Sequence, residues 1–177
     1  MKSENKKIEK PLDSDSKKKV VRLLLKTAFF ILIIYVLLFR LFGFVKLESD
    51  SMEPRMMGGD LALMYRINAR YQAGDVVLYG KDGKDYIGRV IAVEHDTVDL
   101  NEDDVFTING GNDNTVYFGD NKFPKTQTIS YPYTLSDKQL FIVGDNRSGF
   151  DDSRSFGGIF ESQVKGKIIG IFRSHAL

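Results

Sequence analysis

Two serines and a scatter of charged residues are the chemistry this chain offers. Ser49-Asp50-Ser51-Met52-Glu53-Pro54 places two hydroxyls in a short turn-prone segment. A serine hydroxyl is a poor nucleophile near neutral pH and acts only beside a base. Asp85-Tyr86-Ile87-Gly88-Arg89 follows, then Gly144-Asp145-Asn146-Arg147 with Asp152-Ser153-Arg154. Asp145, Arg147, Asp152 and Arg154 have the look of a catalytic carboxylate cluster, but a pair built for hydrolysis needs a defined separation across a cleft, which residue types alone do not supply. There is no cysteine, which removes disulfides, thiol catalysis and thiolate metal sites. The only imidazoles, His95 and His175, lie 80 residues apart. No metal or cofactor is implied. A net charge of +1 gives no basic field for nucleic acid.

The elements that must position these residues begin with an anchor. Residues 1–26 carry nine Lys/Arg against four acids, whereas residues 27–177 carry sixteen against twenty. Between tail and body lies an apolar run, residues 27–45, with Arg40 as its one charge. As a helix these nineteen residues would span ~28 Å, close to a bilayer's hydrocarbon core. Arg40 lies near one end, where it can snorkel. The segment is apolar all round and lacks a small-x-small cleavage site, so an uncleaved transmembrane helix is expected. The flanking cations put the N-terminus in the cytoplasm. The expected organisation is a basic cytoplasmic tail over 1–19, a transmembrane anchor over 20–45 and an extracytoplasmic domain over 46–177. Phe29-Phe30 and Phe42-Gly43-Phe44 then face lipid or its interface.

The outer segment reads as mostly β. β-branched and aromatic runs at 61–65, 75–79, 86–93, 97–100, 105–108, 140–143 and 167–172 are bounded by Gly, Asp and Asn turns such as 81–84 and 109–111. Phe160–Val164 alone has a weak helical period. Residues 112–139, polar and holding Pro124 and Pro132, read as an excursion with little core.

Taken in this order after an N-in anchor, the three motifs closely resemble the type I signal peptidases, over roughly residues 30–175. The resemblance implies a signal-peptidase-type β domain on a single N-terminal transmembrane helix, a serine–lysine dyad, and no cofactor. It implies, as substrate, the extended exported side of a signal peptide, lying along Leu47, Glu48, Asp50 and Met52 on one side and Asp85, Tyr86 and Ile87 on the other. Ser51 stands at the nucleophile position and Ser49 in the oxyanion-hole region. The base position, directly before Arg89, should be lysine and is Gly88. The serine that holds the lysine ammonium is replaced by Phe150. Arg89 with Asp145, and Asp152 with Arg154, would be ion pairs beside the site. The turn after the base strand is also altered, reading Ala92-Val93-Glu94-His95-Asp96.

No obvious substitute base appears. Lys84 lies four residues before Gly88, ~13 Å away on an extended strand, and Lys81 is farther. His95 is seven residues beyond Gly88, an odd offset that faces it the other way on a strand. It reads as a polar turn residue. The resemblance therefore points to a membrane-anchored signal-peptidase-like protein without ordinary cleavage, which binds extended segments of exported proteins. Signal-peptidase-like proteins of Gram-positive pilus gene clusters, which assist pilin polymerisation by a sortase, are the nearest in kind. A working peptidase using Ser51 with an unrecognised base is the alternative.

Overall fold

The computed structural model describes residues 14–67, 70–100, 105–112, 129–148 and 151–173. The chain divides into two compact units, one ending at Arg40 and one running from Leu41 to the C-terminus.

The described part of the first unit is one helix, α1 (Ser14–Leu41), whose last residue begins the second unit. Its 28 residues would extend ~42 Å, longer than a bilayer's hydrocarbon core. Lys19 closes an i,i+4 ion pair with Asp15 at 3.1 Å in the charged first turns. From Val20 to Phe39 its large apolar side chains are exposed to the surroundings and no part of the span is buried by protein. Helix, length and composition suit a membrane crossing. The helix stops at Leu41, short of the expected boundary at residue 45, and Phe42–Lys46 forms strand β1 instead. Two physical causes act there. Gly43 is a poor helix former and Phe42, Phe44 and Val45 suit a pleated surface. Pairing with the next strand then decides, from Phe42 opposite Tyr65 to Lys46 opposite Leu61. A Cβ at Gly43 would lie 2.7 Å from Arg66 Nε and Met64 Cε, the ends of two flexible side chains that would have to shift.

The second unit is built on antiparallel strands. These are β2 (Leu61–Tyr65), β3 (Val76–Lys81), β4 (Lys84–Ala92), β5 (Thr97–Leu100), β6 (Phe106–Ile108), β7 (Gly111–Asn112), β8 (Tyr133–Thr134), β9 (Gln139–Val143), β10 (Ile159–Phe160) and β11 (Val164–Phe172). A short helix α2 (Ser153–Phe156) precedes β10. The main sheet runs β1-β2-β11-β3-β4-β9-β10 and a smaller one β7-β6-β5-β8. The fold is mostly β, on one long apolar N-terminal helix.

The hairpin β3–β4 turns at Asp82 and Gly83, with φ of 50° and 78°. Two positive φ values in a two-residue loop give the twist that antiparallel strands need. The hairpin fixes the register that sets Gly88 opposite Val77 and Ile87 opposite Leu78. Among the described residues three apolar clusters fill the domain. Leu47, Met52, Met56 and Ile87 belong to one, Val77, Tyr79, Val90 and Ile142 to another.

The third cluster corrects the reading of the polar stretch. Leu135 is 1% exposed and packs with Val98, Phe106 and Phe141, and Ile129, Tyr131 and Tyr133 lie against them. The stretch thus contributes core from residue 129 onward, because its few aromatics alternate inward; residues 113–128 lie outside the described part. Phe160–Val164 is not an α-helix. Ile159–Phe160 pairs with β9 and Glu161–Gln163 makes one 3₁₀ turn.

Candidate functional site

Ser51 begins the turn that follows β1. Met52, directly after it, is 0% exposed and anchors the turn in the core. Asp50 accepts the Gly58 N–H at 2.8 Å and closes the same turn. The Met52 side chain is fully buried, and neither Met52 nor Asp50 lines the two cavities described below.

Ser51 is 6% exposed and each of its polar groups has a partner. Its N–H donates to Ser49 Oγ at 3.1 Å. Its carbonyl accepts the Asn146 N–H at 2.9 Å. Its hydroxyl donates to the Ile87 carbonyl oxygen at 3.2 Å. The loop Gly144–Arg147 supplies the Asn146 contact by lying almost on the Ser51 backbone. A Cβ on Gly144 would come within 2.6 Å of Ser51 O, so only glycine fits.

Two ion pairs hold that loop. Arg89 grips Asp145 with two bonds, Nε to Oδ1 at 2.7 Å and Nη2 to Oδ2 at 2.6 Å, and gives Nη1 to the Gly74 carbonyl at 2.7 Å. Asp145 is fully buried and the Arg89 side chain is 12% exposed. Arg154 makes the same fork on Asp152, at 2.8 and 2.7 Å, and donates to the Arg147 carbonyl at 2.8 Å. Asp152 also caps α2 through the Arg154 N–H and accepts from the Gly144 N–H at 3.2 Å. Both carboxylates are spent on their arginines and on backbone, and neither lines the cavities. They shape the loop rather than act on a ligand.

Two adjoining cavities lie between the 45–51 segment and the start of β4. The larger, about 290 Å³, is walled by Glu48, Ser49, Ser51, Asp85, Tyr86, Ile87 and Asp151. The smaller, about 180 Å³, is walled by Val45, Lys46, Leu47, Leu78 and five residues shared with the first: Glu48, Ser49, Asp85, Tyr86 and Ile87. Tyr86 is braced there, its ring 5.7 Å from Tyr79 and 5.2 Å from Phe156. β4 pairs with β9 only from Arg89 onward, so among the described residues no strand pairs with 84–88 on that side. Burial, then the nearby Asp152 and the Tyr86 phenol, push the Tyr79 phenol well above its ordinary value.

Gly88 is buried, and its surroundings leave no room for a side chain. A Cβ there would lie 2.7 Å from Ile142 Cγ2 and 3.3 Å from the Val143 carbonyl oxygen. Sequence reasoning did not find Ile142, because nothing local marks a core isoleucine as the neighbour of a residue 54 positions earlier. Asp151 was also missed, although it adjoins the third motif. Among the described residues no lysine or histidine reaches Ser51, whose hydroxyl has the Ile87 carbonyl as its partner. Lys165 pairs with Asp85 at 2.5 Å. His95 sits in an exposed turn with φ of 70°, its Nε2 3.6 Å from Asp137. Phe150 and His175 lie outside the described residues. No group of three or more His, Asp or Glu residues able to hold a metal forms among the described residues.

The profile of the family described as "Signal peptidase, peptidase S26" matches residues 20–172. The chain belongs to the signal peptidase family. Signal peptidase I S of Bacillus subtilis is 30% identical over 152 residues, covering 78% of this chain and 82% of its own length. Signal peptidase IB of Staphylococcus aureus strain Mu50 is 26% identical over 160 residues, covering 78% and 83%. A crystal structure of a signal peptidase I from Enterococcus faecalis aligns over 58% of this chain and all of its own, at 23% identity and a TM-score of 0.43. In this signal peptidase relative, the apolar helix α1 is consistent with the family's single-pass membrane anchor.

Proposed function

We propose that this family member binds an extended segment of an exported protein in the groove between residues 47–51 and 85–87 and does not cleave it. One observation carries the reading: the Ser51 proton is given to a backbone carbonyl, and the adjacent β4 residue is a glycine packed under Ile142. A neutral carbonyl is not a general base near pH 7, and a hydroxyl without a base is not a useful nucleophile. Loss of the base from such a unit typically removes about 10⁴–10⁶ of rate. Binding needs none of this. Among the described residues no strand pairs with the edge of β4 at Asp85–Ile87, so apart from the Ile87 carbonyl held by Ser51 its backbone groups are open to an added strand, and the two cavities offer space for its side chains.

The N-terminus is cytoplasmic and the β domain extracytoplasmic in this reading, supported by the cation excess before the helix. The clients are signal-peptide-bearing precursors or pilins presented to a sortase, a choice supported by the resemblance to pilus-cluster proteins. The test uses the full-length protein in detergent. A fluorophosphonate probe should leave Ser51 unlabelled, a signal-peptide precursor should stay intact, and Ser51→Ala should retain biological function. Stoichiometric labelling abolished by Ser51→Ala would establish a working serine peptidase instead. Protease added to wall-stripped cells should digest the β domain and spare an epitope on residues 1–13; loss of that epitope would reverse the topology.

A further inference from the structure

The charges around the larger cavity are one-sided. Glu48, Asp85 and Asp151 are three of its seven described lining residues, and no lysine or arginine is among those seven. Asp85 is offset by its ion pair with Lys165. Glu48 and Asp151 are exposed and have no ion-pair partner among the described residues. Lys46 lines only the smaller cavity.

The Ser51 hydroxyl adds a second, separate feature. It is more than nine-tenths buried, faces the same cavity, and has already donated its proton to the Ile87 carbonyl. A hydroxyl keeps two acceptor lone pairs after donating. Among the described residues no donor fills them. Among the described residues the cavity thus presents one buried acceptor and two exposed carboxylates without an ion-pair partner.

We infer that the segment held in this groove carries a lysine or arginine side chain directed into the larger cavity, toward Glu48, Asp151 and Ser51 Oγ. The inference rests on the groove reading above and names its occupant more closely. An ammonium has three donors and a guanidinium five, and neither has an acceptor. Such a group can serve the carboxylates and the hydroxyl lone pairs together without competing for the Ser51 proton. A carboxylate in the same place would meet like charge. An apolar side chain would leave the acceptors to water.

The experiment measures binding of three fluorescein-labelled, end-blocked alanine–valine octapeptides to the full-length protein in non-ionic micelles, with protein-free micelles subtracted. The peptides differ at one central residue: lysine, norleucine or glutamate. A partly exposed charge contact is worth up to about fivefold in affinity. The lysine peptide should therefore bind about fivefold more tightly than norleucine, and glutamate more weakly than both. The advantage should shrink as salt is raised and vanish in the Glu48→Gln/Asp151→Asn double variant, while Glu48→Asp keeps it. Equal binding of lysine and norleucine, or a lysine advantage that survives the double variant, overturns the inference and leaves the groove reading standing. No binding of any of the three peptides overturns the groove reading and this inference with it.

Discussion

Filling the space above Gly88 tests why the groove lacks a base. A Cβ at residue 88 would sit 2.7 Å from Ile142 Cγ2. Carbon atoms in contact prefer about 3.5–4.0 Å, so one group must retreat by about 1 Å. Ile142 has little freedom to do so. It is fully buried, stands opposite Val90 in the sheet, and its N–H is held by Ser153 Oγ at 2.9 Å. Its β-branched side chain has one strongly preferred rotamer in most settings. On the other side the Val143 carbonyl oxygen lies 3.3 Å from the same Cβ. Overpacking of this kind costs about 1–3 kcal/mol, and about 3–4 °C of Tm is lost per kcal/mol in a domain of this size. Gly88→Ala should therefore lower Tm by roughly 3–12 °C. Gly88→Lys should lose at least as much and cleave no precursor, because its stem meets the same methyl group before its ammonium can reach Ser51. Thermal denaturation of both variants, alone and in an Ile142→Ala background, separates the cause. Ile142→Ala alone costs about 2–5 kcal/mol as a cavity, but in that background Gly88→Ala should cost close to nothing, a coupling of about 1–3 kcal/mol between touching residues. The family resemblance makes Phe150, in place of the ammonium-holding serine, one obstacle to Gly88→Lys; the packing adds Ile142 as the first. A Gly88→Ala protein with unchanged Tm, or Ser51-dependent cleavage by Gly88→Lys alone, would refute the reasoning.

Two further outcomes follow from the contacts. Arg89→Met strands the fully buried Asp145 without its fork, so it should destabilise the domain by about 3–5 kcal/mol, and Asp145→Asn in the same chain should restore part of that in chemical denaturation. The Tyr79 and Tyr131 phenols are raised above 10, mainly by burial. The folded state therefore keeps protons that the unfolded chain releases once pH passes about 10. This contribution is fully present below pH 10 and is lost above it, so Tm should fall from pH 10 upward, with a shallower fall in the Tyr79→Phe/Tyr131→Phe variant. An equal fall in the variant would place the loss elsewhere.

Legibility from sequence varied with the range of the interaction. Leu61–Tyr65 and Thr97–Leu100 are strands at the boundaries their alternating residues indicate, and Asp82-Gly83 and Asn109-Gly110 are turns whose φ values they set locally. Phe42–Val45 was read as helix because its apolar character continues the anchor, and only pairing with β2, from Phe42 opposite Tyr65 to Lys46 opposite Leu61, distinguishes the two. The two-residue strands β7, β8 and β10 carry too little pattern to be recognised and exist because a neighbour pairs with them. Leu135 was discounted in a polar stretch, yet it is core because the β5–β8 pairing draws its segment over Phe141.

At the groove the division is the same. The sequence by itself determined the chemical inventory: Ser49 and Ser51 in one turn, Gly88 before Arg89, and no cysteine. It also determined the long apolar anchor with its basic flank, since these depend on residue type and spacing alone. Tertiary structure decided what those residues can do. The hairpin register aims the Ile87 carbonyl at the Ser51 hydroxyl, the Gly144–Arg147 loop clamps the Ser51 backbone, and Ile142 takes the space beside Gly88. It also brought Glu48 and Asp151, over 100 residues apart in the chain, to one cavity. Each of these is a contact between distant segments, fixed by how strands register and pack, and no local pattern of residues encodes it.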